Sequence, residues 1–263
     1  MIFAYRNLEF SLLNEPLLLP ANYIDEINRN WENEKLNGKS YTNGKIYTMA
    51  SFRITGDDIC IFLKESNFAH FLLSKKKQVN HLTCRSVAAN VLLLTSDGYL
   101  AFGKMSNQTS LSNITKFIGG AISDFDLVGN KIDTTKTISR ELKEETGIDL
   151  FDDEIVANFR PIFFLTRPNF SFINTLFLVN LNVSSSLLKD LFINYRDFLS
   201  SVSVQSELSD LVFVENSYAA AVRFLKDEAL HTIDYMGDFI NHFYNIFQSE
   251  DITNEITANL PLL

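Results

Sequence analysis

Three glutamates within five residues, Glu141, Glu144 and Glu145, constrain this chain more than any other feature. The stretch from Arg140 to Ile148 has helical spacing, and Ile138 and Leu142, four apart, give it an apolar stripe. Glu141 precedes Glu144 and Glu145 by three and four positions, so all three crowd one side of the last turns. Like charges at that spacing repel, and the C-terminal end of a helix disfavours anions. A helix written for stability alone would avoid this arrangement. A hard cation against that face would account for it, because carboxylate oxygens are what Mg²⁺ takes as ligands. Gly147 is the expected stop, in the left-handed conformation, and Asp133 or Thr134 is the expected N-cap. An acidic run is more often a plain solvated helix face, so the wider pattern has to decide.

Arg140-Glu141-Leu142-Lys143-Glu144-Glu145-Thr146-Gly147-Ile148 fills every specified position of R-E-U-x-E-E-x-G-U, where U is aliphatic. That is the second half of the Nudix box, G-x5-E-x7-R-E-U-x-E-E-x-G-U, and the chain resembles a Nudix hydrolase. The resemblance implies an α/β/α sandwich with a mixed sheet. It implies Mg²⁺, with Mn²⁺ as a substitute, on Glu141, Glu144 and Glu145, helped by a backbone carbonyl at the paired glycines that open the box. Gly119-Gly120 fill that place, with Gly120 as the first box residue and a further metal contact. Arg140 would fix a box glutamate in orientation, and Glu141, Glu145 or Glu207 would take the proton. Lys104, on the second strand of the opening hairpin, would reach the substrate.

The first half of the box departs from the pattern. At the family spacing the glutamate would be residue 132, which is Ile132, and the glycine residue 126, which is Asp126. With Gly120 as the box glycine, the loop Ala121 to Lys131 carries six extra residues. Asp124, Asp126 and Asp133 are the candidates to replace the missing glutamate.

Length and composition set the outer limits. With 263 residues, 46% of them hydrophobic, the chain can bury a sizeable core. Its 23 phenylalanines suggest aromatic clusters inside. A net charge of −9 argues against a sequence-independent grip on nucleic acid or acidic lipid, which needs a basic surface. A phosphate-bearing substrate would be held locally, by metal and a few Lys or Arg. Cys60 and Cys84 have no CxxC or histidine partner and read as free thiols of a reducing compartment. The start of the chain lacks a signal-peptide pattern, and no stretch approaches 18 apolar residues, so a cytoplasmic protein is expected.

In chain order, Tyr23 to Trp31 has helical spacing, with Ile24, Ile27 and Trp31 on one side. Asn37-Gly38 and Asn43-Gly44 read as hairpin turns. Tyr47 to Ile54 and Ile59 to Leu63 read as strands around Gly56-Asp57-Asp58, and Phe68 to Leu73 as a short helix or strand. The run Lys75-Lys76-Lys77 is the linker candidate. Residues 1–80 thus form a small α+β subdomain before a main domain at 81–263. There, Ser86 to Thr95 and Tyr99 to Lys104 form a hairpin about Ser96-Asp97-Gly98. Strands follow at Arg160 to Thr166 and Phe172 to Leu181, either side of a turn at Arg167-Pro168-Asn169. Ser184 to Ser186 cap a helix running to about Tyr195, and helical periodicity returns at Ser217 to Glu228 and Ile233 to Phe247. The Phe/Met stripe of the last helix suits core, or a dimer surface with a second copy of the chain. His70, His81, His231 and His242 show no ligand spacing.

The expected activity is Mg²⁺-dependent cleavage of the diphosphate linkage of a nucleoside diphosphate derivative, either a nucleotide sugar or an ADP-ribose-like compound. The region of Trp31 and Asn37-Gly38 is similar to that of Nudix proteins acting on UDP-sugars. Trp31, Phe170 and Phe172 are candidates to stack on a base. The alternative is a non-catalytic nucleotide-binding or sensing module of the same fold.

Overall fold

The computed structural model describes residues 2–3, 7–38, 41–56, 58–77, 79, 82–107, 112–166, 172–227 and 231–248. The expected turn at Arg167-Pro168-Asn169, Phe170 and His81 lie outside them. After β1 (Ile2–Phe3) and β2 (Asn7–Leu12), helix α1 (Ala21–Leu36) begins directly behind Pro20. Its buried residues are Tyr23, Ile27 and Trp31, four apart, and Ile24 is turned to solvent instead. Asn37-Gly38 is not a hairpin turn. Asn37 is the C-cap of α1, and Gly38 takes the left-handed conformation (φ 79°) that ends a helix. Strands β3 (Lys45–Thr55) and β4 (Asp58–Asn67) form the expected hairpin.

Asn67 then caps α2 (Phe68–Lys76) by accepting from the His70 amide. The lysine run does not act as a linker. Lys75 and Lys76 sit in the last turn of α2, where cations suit the helix dipole. Lys76 pairs with Glu34 and Lys77 with Glu26, both on α1. Under these pairs, Tyr23, Ile27 and Trp31 pack on Ala69 and Leu73, so Trp31 is a core residue of the α1–α2 contact.

β5 (Ser86–Leu94) and β6 (Tyr99–Met105) turn about Gly98, whose φ of 83° needs a glycine. Asp97 in that turn accepts from the Thr95 hydroxyl and from the amide and hydroxyl of Ser185, bonds that hold its pKa down to about 2. β7 (Thr115–Lys116) and β8 (Ile118–Ala121) lead to a 3₁₀ turn at Asp124–Asp126. β9 (Leu127–Val128) and β10 (Lys131–Ile132) come next, then α3 (Thr134–Thr146), the helix of the three glutamates. β11 (Val156–Thr166) and β12 (Phe172–Leu181) pair antiparallel. α4 (Ser185–Ser201) is capped by Ser184 as expected. β13 (Leu208–Glu215), α5 (Tyr218–Asp227) and α6 (Met236–Gln248) complete the described chain. Among the described residues no helix is long and apolar enough to cross a membrane, and Cys60 and Cys84 are both free.

The strands form one mixed sheet in the order β1-β11-β12-β5-β3-β4-β2-β10-β9. β6 pairs β5, β7 and β13, while β8 pairs β5. β12 with β5 and β2 with β4 are parallel, the rest antiparallel. β5 is covered on both faces, which is why it reads as a near-continuous apolar run. Its residues Ala89, Val91 and Leu93 pack with Ile138 and Leu142 of α3 and Leu188 and Phe192 of α4. Leu92 on the other face packs with Phe224 of α5 and Phe239 and Phe243 of α6. This is an α/β/α sandwich. The N-terminal strands continue the same sheet, through Thr48 opposite Ser86, and Tyr47, Met49 and Ile61 share a cluster with Val87, Ile122 and Ile173.

Two predictions follow from this packing. Leu142 is fully buried between α3 and β5. Leu142→Ala should cost about 2–5 kcal/mol in urea denaturation, and a loss below about 1 kcal/mol would contradict the packing. His70 is buried, and its ring nitrogens meet the Ser66 hydroxyl and the Leu82 carbonyl. Burial lowers its pKa, against that carbonyl's opposing pull. The folded state therefore resists a proton that the unfolded chain accepts below about pH 6.5. The stability that neutral His70 contributes is present above that pH and is lost as pH falls through it. Between pH 7.5 and 5.5 the wild type should lose more stability than His70→Gln, and equal losses would overturn the assignment.

Candidate active site

α3 is set at both ends by local chemistry. Asp133 is the N-cap, accepting from the amides of Thr135 (2.9 Å) and Lys136 (3.3 Å). Gly147 closes the helix with φ 81°, its amide bonded to Lys143 O. Between them the apolar face turns Ile138 and Leu142 inward and carries Glu145 in with them, 3% exposed.

A carboxylate so deeply placed has to be answered, and Lys116 of β7 answers it. Lys116 Nζ donates to Glu145 Oε1 (2.8 Å) and to the Gly119 carbonyl (2.7 Å), while the Gly119 amide donates to Glu145 Oε2 (2.8 Å). Burial pushes the Glu145 carboxyl above its ordinary range, and Lys116 and the Gly119 amide pull the other way. Gly119 sits at φ 131°, and a Cβ there would meet Ala89 O at 2.4 Å. Only glycine allows the chain to pass this close to β5 and present both backbone groups.

Glu141, one turn earlier, stands against Gly120, where an added Cβ would lie 2.6 Å from both carboxylate oxygens. Burial raises its pKa to about 7; Arg140 opposes the shift and the nearby Glu145 adds to it. Arg140 Nη1 donates to Glu141 (2.7 Å) and to Glu144 (3.3 Å). Glu144 is 61% exposed and faces solvent. Glu207, also exposed, is close enough for its charge to raise the Glu145 pKa. The amide of Ser106, just beyond β6, donates to the Glu207 carbonyl.

Of the three aspartates that were candidates for the missing box glutamate, Asp126 reaches the box. It is 1% exposed and accepts from Arg140 Nη2 (3.1 Å) and Nε (3.4 Å), and from the amide of Ser123 (2.8 Å). Arg140 also donates to Ala121 O. Burial works against the guanidinium charge, and the bonds to Asp126 and Glu141 outweigh it, holding its pKa above the ordinary range. Asp124 instead meets Tyr47 and Lys45, and Asp133 is taken up by the helix cap.

Lys104 is placed elsewhere. Its alternation puts it with Leu100 and Phe102, which pack under α5 and α6, whereas Ala101 and Met105 face α3. The lysine on the α3 face is Lys116, opposite Gly103. The sequence reading missed it. Its signal was a single lysine in an otherwise apolar run leading into paired glycines. Phe172, a candidate for base stacking, lies against Tyr235 at 4.9 Å. An open cleft of about 850 Å³ lies at the other end of α3, lined by Asn7, Arg53, Asp58, Lys131 and Thr134. None of the three glutamates lines it.

The donors are hard oxygens, the chemical type a divalent cation takes, but among the described residues they do not form a ready-made cage. Glu141, Glu144, Glu145, Glu207 and Asp126 outnumber Arg140 and Lys116, all hard oxygen donors. Gly120 leaves the space its side chain would fill to the Glu141 carboxylate. The side chains are not gathered around one point: among the described residues no three His, Cys, Asp or Glu groups are placed together to hold an ion.

No protein-family model matches the chain, and no curated protein matches it significantly. Among solved structures it is similar to a Deinococcus radiodurans protein (TM-score 0.42, 14% identity, covering 60% of this chain and 82% of that one). It is also similar to a bifunctional NMN adenylyltransferase/ADP-ribose pyrophosphatase from Francisella tularensis, complexed with AMP and manganese (TM-score 0.40, 12% identity, 66% of this chain and 44% of that one). A third is a Nudix hydrolase from Nitrosomonas europaea (TM-score 0.37, 10% identity, 61% and 89%). The chain spans less than half the length of the bifunctional enzyme. At such low likeness, what the site does has to be read from its own side chains.

The Arg140–Asp126 pair gives a direct check. Asp126→Asn should cost about 1–3 kcal/mol in denaturant melting, because it removes the charge that holds a half-buried guanidinium. A change below about 0.5 kcal/mol would show that Arg140 is held by something else.

Proposed function

We propose that the chain is a divalent-cation-dependent hydrolase of the Nudix type, cleaving the phosphoanhydride linkage of a nucleoside diphosphate derivative. The observation that carries this reading is the pairing of the box helix with the glycine turn. Glu141 stands against Gly120, Glu144 lies open to solvent, and the site holds more carboxylates than cations. Glu141 and Glu144, with the Gly120 carbonyl, are the groups that would hold Mg²⁺ or Mn²⁺; Glu145, the third glutamate of the pattern, is already paired with Lys116. When bound, such an ion neutralises phosphoryl oxygens and makes its water acidic enough to attack near neutral pH.

The chain's own groups supply the rest. Arg140 fixes the Glu141 carboxylate, and Asp126 with the Ala121 carbonyl fixes Arg140, so the acceptor's orientation is set two contacts back. Glu141 or the exposed Glu207 takes the proton from the attacking water. Lys104 has no place in this reading, because its register puts it on the face away from α3. The class of substrate is a nucleotide sugar or an ADP-ribose-like compound, with a UDP-sugar as the first to try. A compartment that keeps Cys60 and Cys84 reduced, such as the cytoplasm, suits the chain.

One observation favours a second reading. Lys116 already supplies Glu145 with a cation, and a binding module that holds nucleotide without metal would be built in that way.

Phosphate release from UDP-glucose, ADP-ribose, NADH and a diadenosine polyphosphate, coupled to a phosphatase, separates the two. The hydrolase should cleave at least one compound with Mg²⁺ and none with EDTA. Glu141→Gln and Glu144→Gln should each lower turnover about 100-fold or more with little change in melting temperature. Cleavage that survives EDTA, or full activity in both variants, would refute the reading. Nucleotide binding without turnover would favour the binding module.

A further inference from the structure

The buried contact between β7 and α3 divides the three box glutamates into two kinds. Both oxygens of Glu145 are engaged, one by Lys116 Nζ at 2.8 Å and the other by the Gly119 amide at 2.8 Å. The same ammonium binds the Gly119 carbonyl at 2.7 Å. A carboxylate oxygen and a backbone carbonyl around one positive charge are the donors a hard metal ion would take. Here a side chain of the protein takes them. The Lys116 side chain is 11% exposed, and its backbone is fixed in register opposite Gly103, so the ammonium is delivered from within the sheet. Glu141 and Glu144 differ: they share a single guanidinium nitrogen, Arg140 Nη1, and Glu144 faces solvent.

We infer that Lys116 is a built-in cation of this site: it withholds Glu145 from divalent metal and leaves the metal to Glu141 and Glu144. The inference rests on the metal-dependent reading above and narrows it. Glu145 becomes a positioning residue that clamps the glycine turn through Lys116. Charge follows the same logic, since a divalent ion placed on Glu145 would sit directly against the ammonium, and like charges at contact in a water-poor site repel strongly.

Two measurements on the full chain test this, neither of which reads activity. The first is Mn²⁺ binding, followed by the electron paramagnetic resonance signal of the free ion. Glu141→Gln should weaken binding about tenfold or more, and Glu145→Gln should leave it within about threefold of wild type. Lys116→Met should create a new or tighter Mn²⁺ site on the freed Glu145, and the Lys116→Met/Glu145→Gln variant should abolish it. Weakening by Glu145→Gln equal to that of Glu141→Gln would overturn the inference and leave the metal-dependent reading standing. Binding to Lys116→Met but not to wild type would support the withholding role and sink the hydrolase. No Mn²⁺ binding to either would overturn both.

The second measurement needs no variant. Amine acetylation of the wild type, mapped by mass spectrometry, should label Lys116 far more slowly than the exposed Lys143, equally with and without Mg²⁺. A rise in Lys116 labelling on adding Mg²⁺ would mean that metal displaces the ammonium, and would overturn the inference.

Discussion

The structure depends on one buried ion pair. Glu145 lies on the apolar face of α3, where a lone carboxylate would be intolerable, and Lys116 meets it from the neighbouring sheet. Breaking such a pair from one side typically costs about 3–5 kcal/mol, because the remaining charge stays buried. The pair ties α3 to the glycine turn, because Gly119 gives its amide to Glu145 and its carbonyl to Lys116. With that contact set, Glu141 comes to rest on Gly120 and Glu144 is carried out to solvent.

Further support comes from the N-terminal region. The residues inserted between the glycine turn and α3 make a 3₁₀ turn and the β9–β10 ribbon, and β10 pairs with β2. Tyr47 and Lys45 of β3 hold Asp124 in that turn, two residues from Asp126. Asp126 holds Arg140, and Arg140 holds Glu141. The first 80 residues therefore bear on the site through an unbroken series of contacts, and the insertion is the segment that connects them.

What was legible in the sequence is what is local. The ends of α3, the β5–β6 hairpin and the Ser184 cap of α4 are each determined within a few residues by capping and turn chemistry, and each stands where the pattern put it. Asn37-Gly38 shows the limit of such signals, since the same dipeptide serves a hairpin or a helix end, and the preceding helix decides. The contacts that build the site are distant in sequence. Lys116 meets Glu145 across 29 positions and Tyr47 meets Asp124 across 77, and no spacing rule reaches that far. Lys104 and Lys116 were both visible as lysines near the glycines. Only the pairing of β6 with β7, which sets the faces, tells them apart. Asp126 could not be chosen over Asp124 and Asp133 until the fold of the insertion was known.

The central claim is that the outer face of α3, at Glu141 and Glu144, holds a divalent cation beside the glycine turn while Lys116 keeps Glu145. Anomalous diffraction from crystals soaked in MnCl₂ tests it most directly. The account predicts a manganese peak bounded by the Glu141 and Glu144 carboxylates, with the Lys116–Glu145 contact intact. A peak on Glu145 with Lys116 turned away, or no peak on α3 at all, would contradict it.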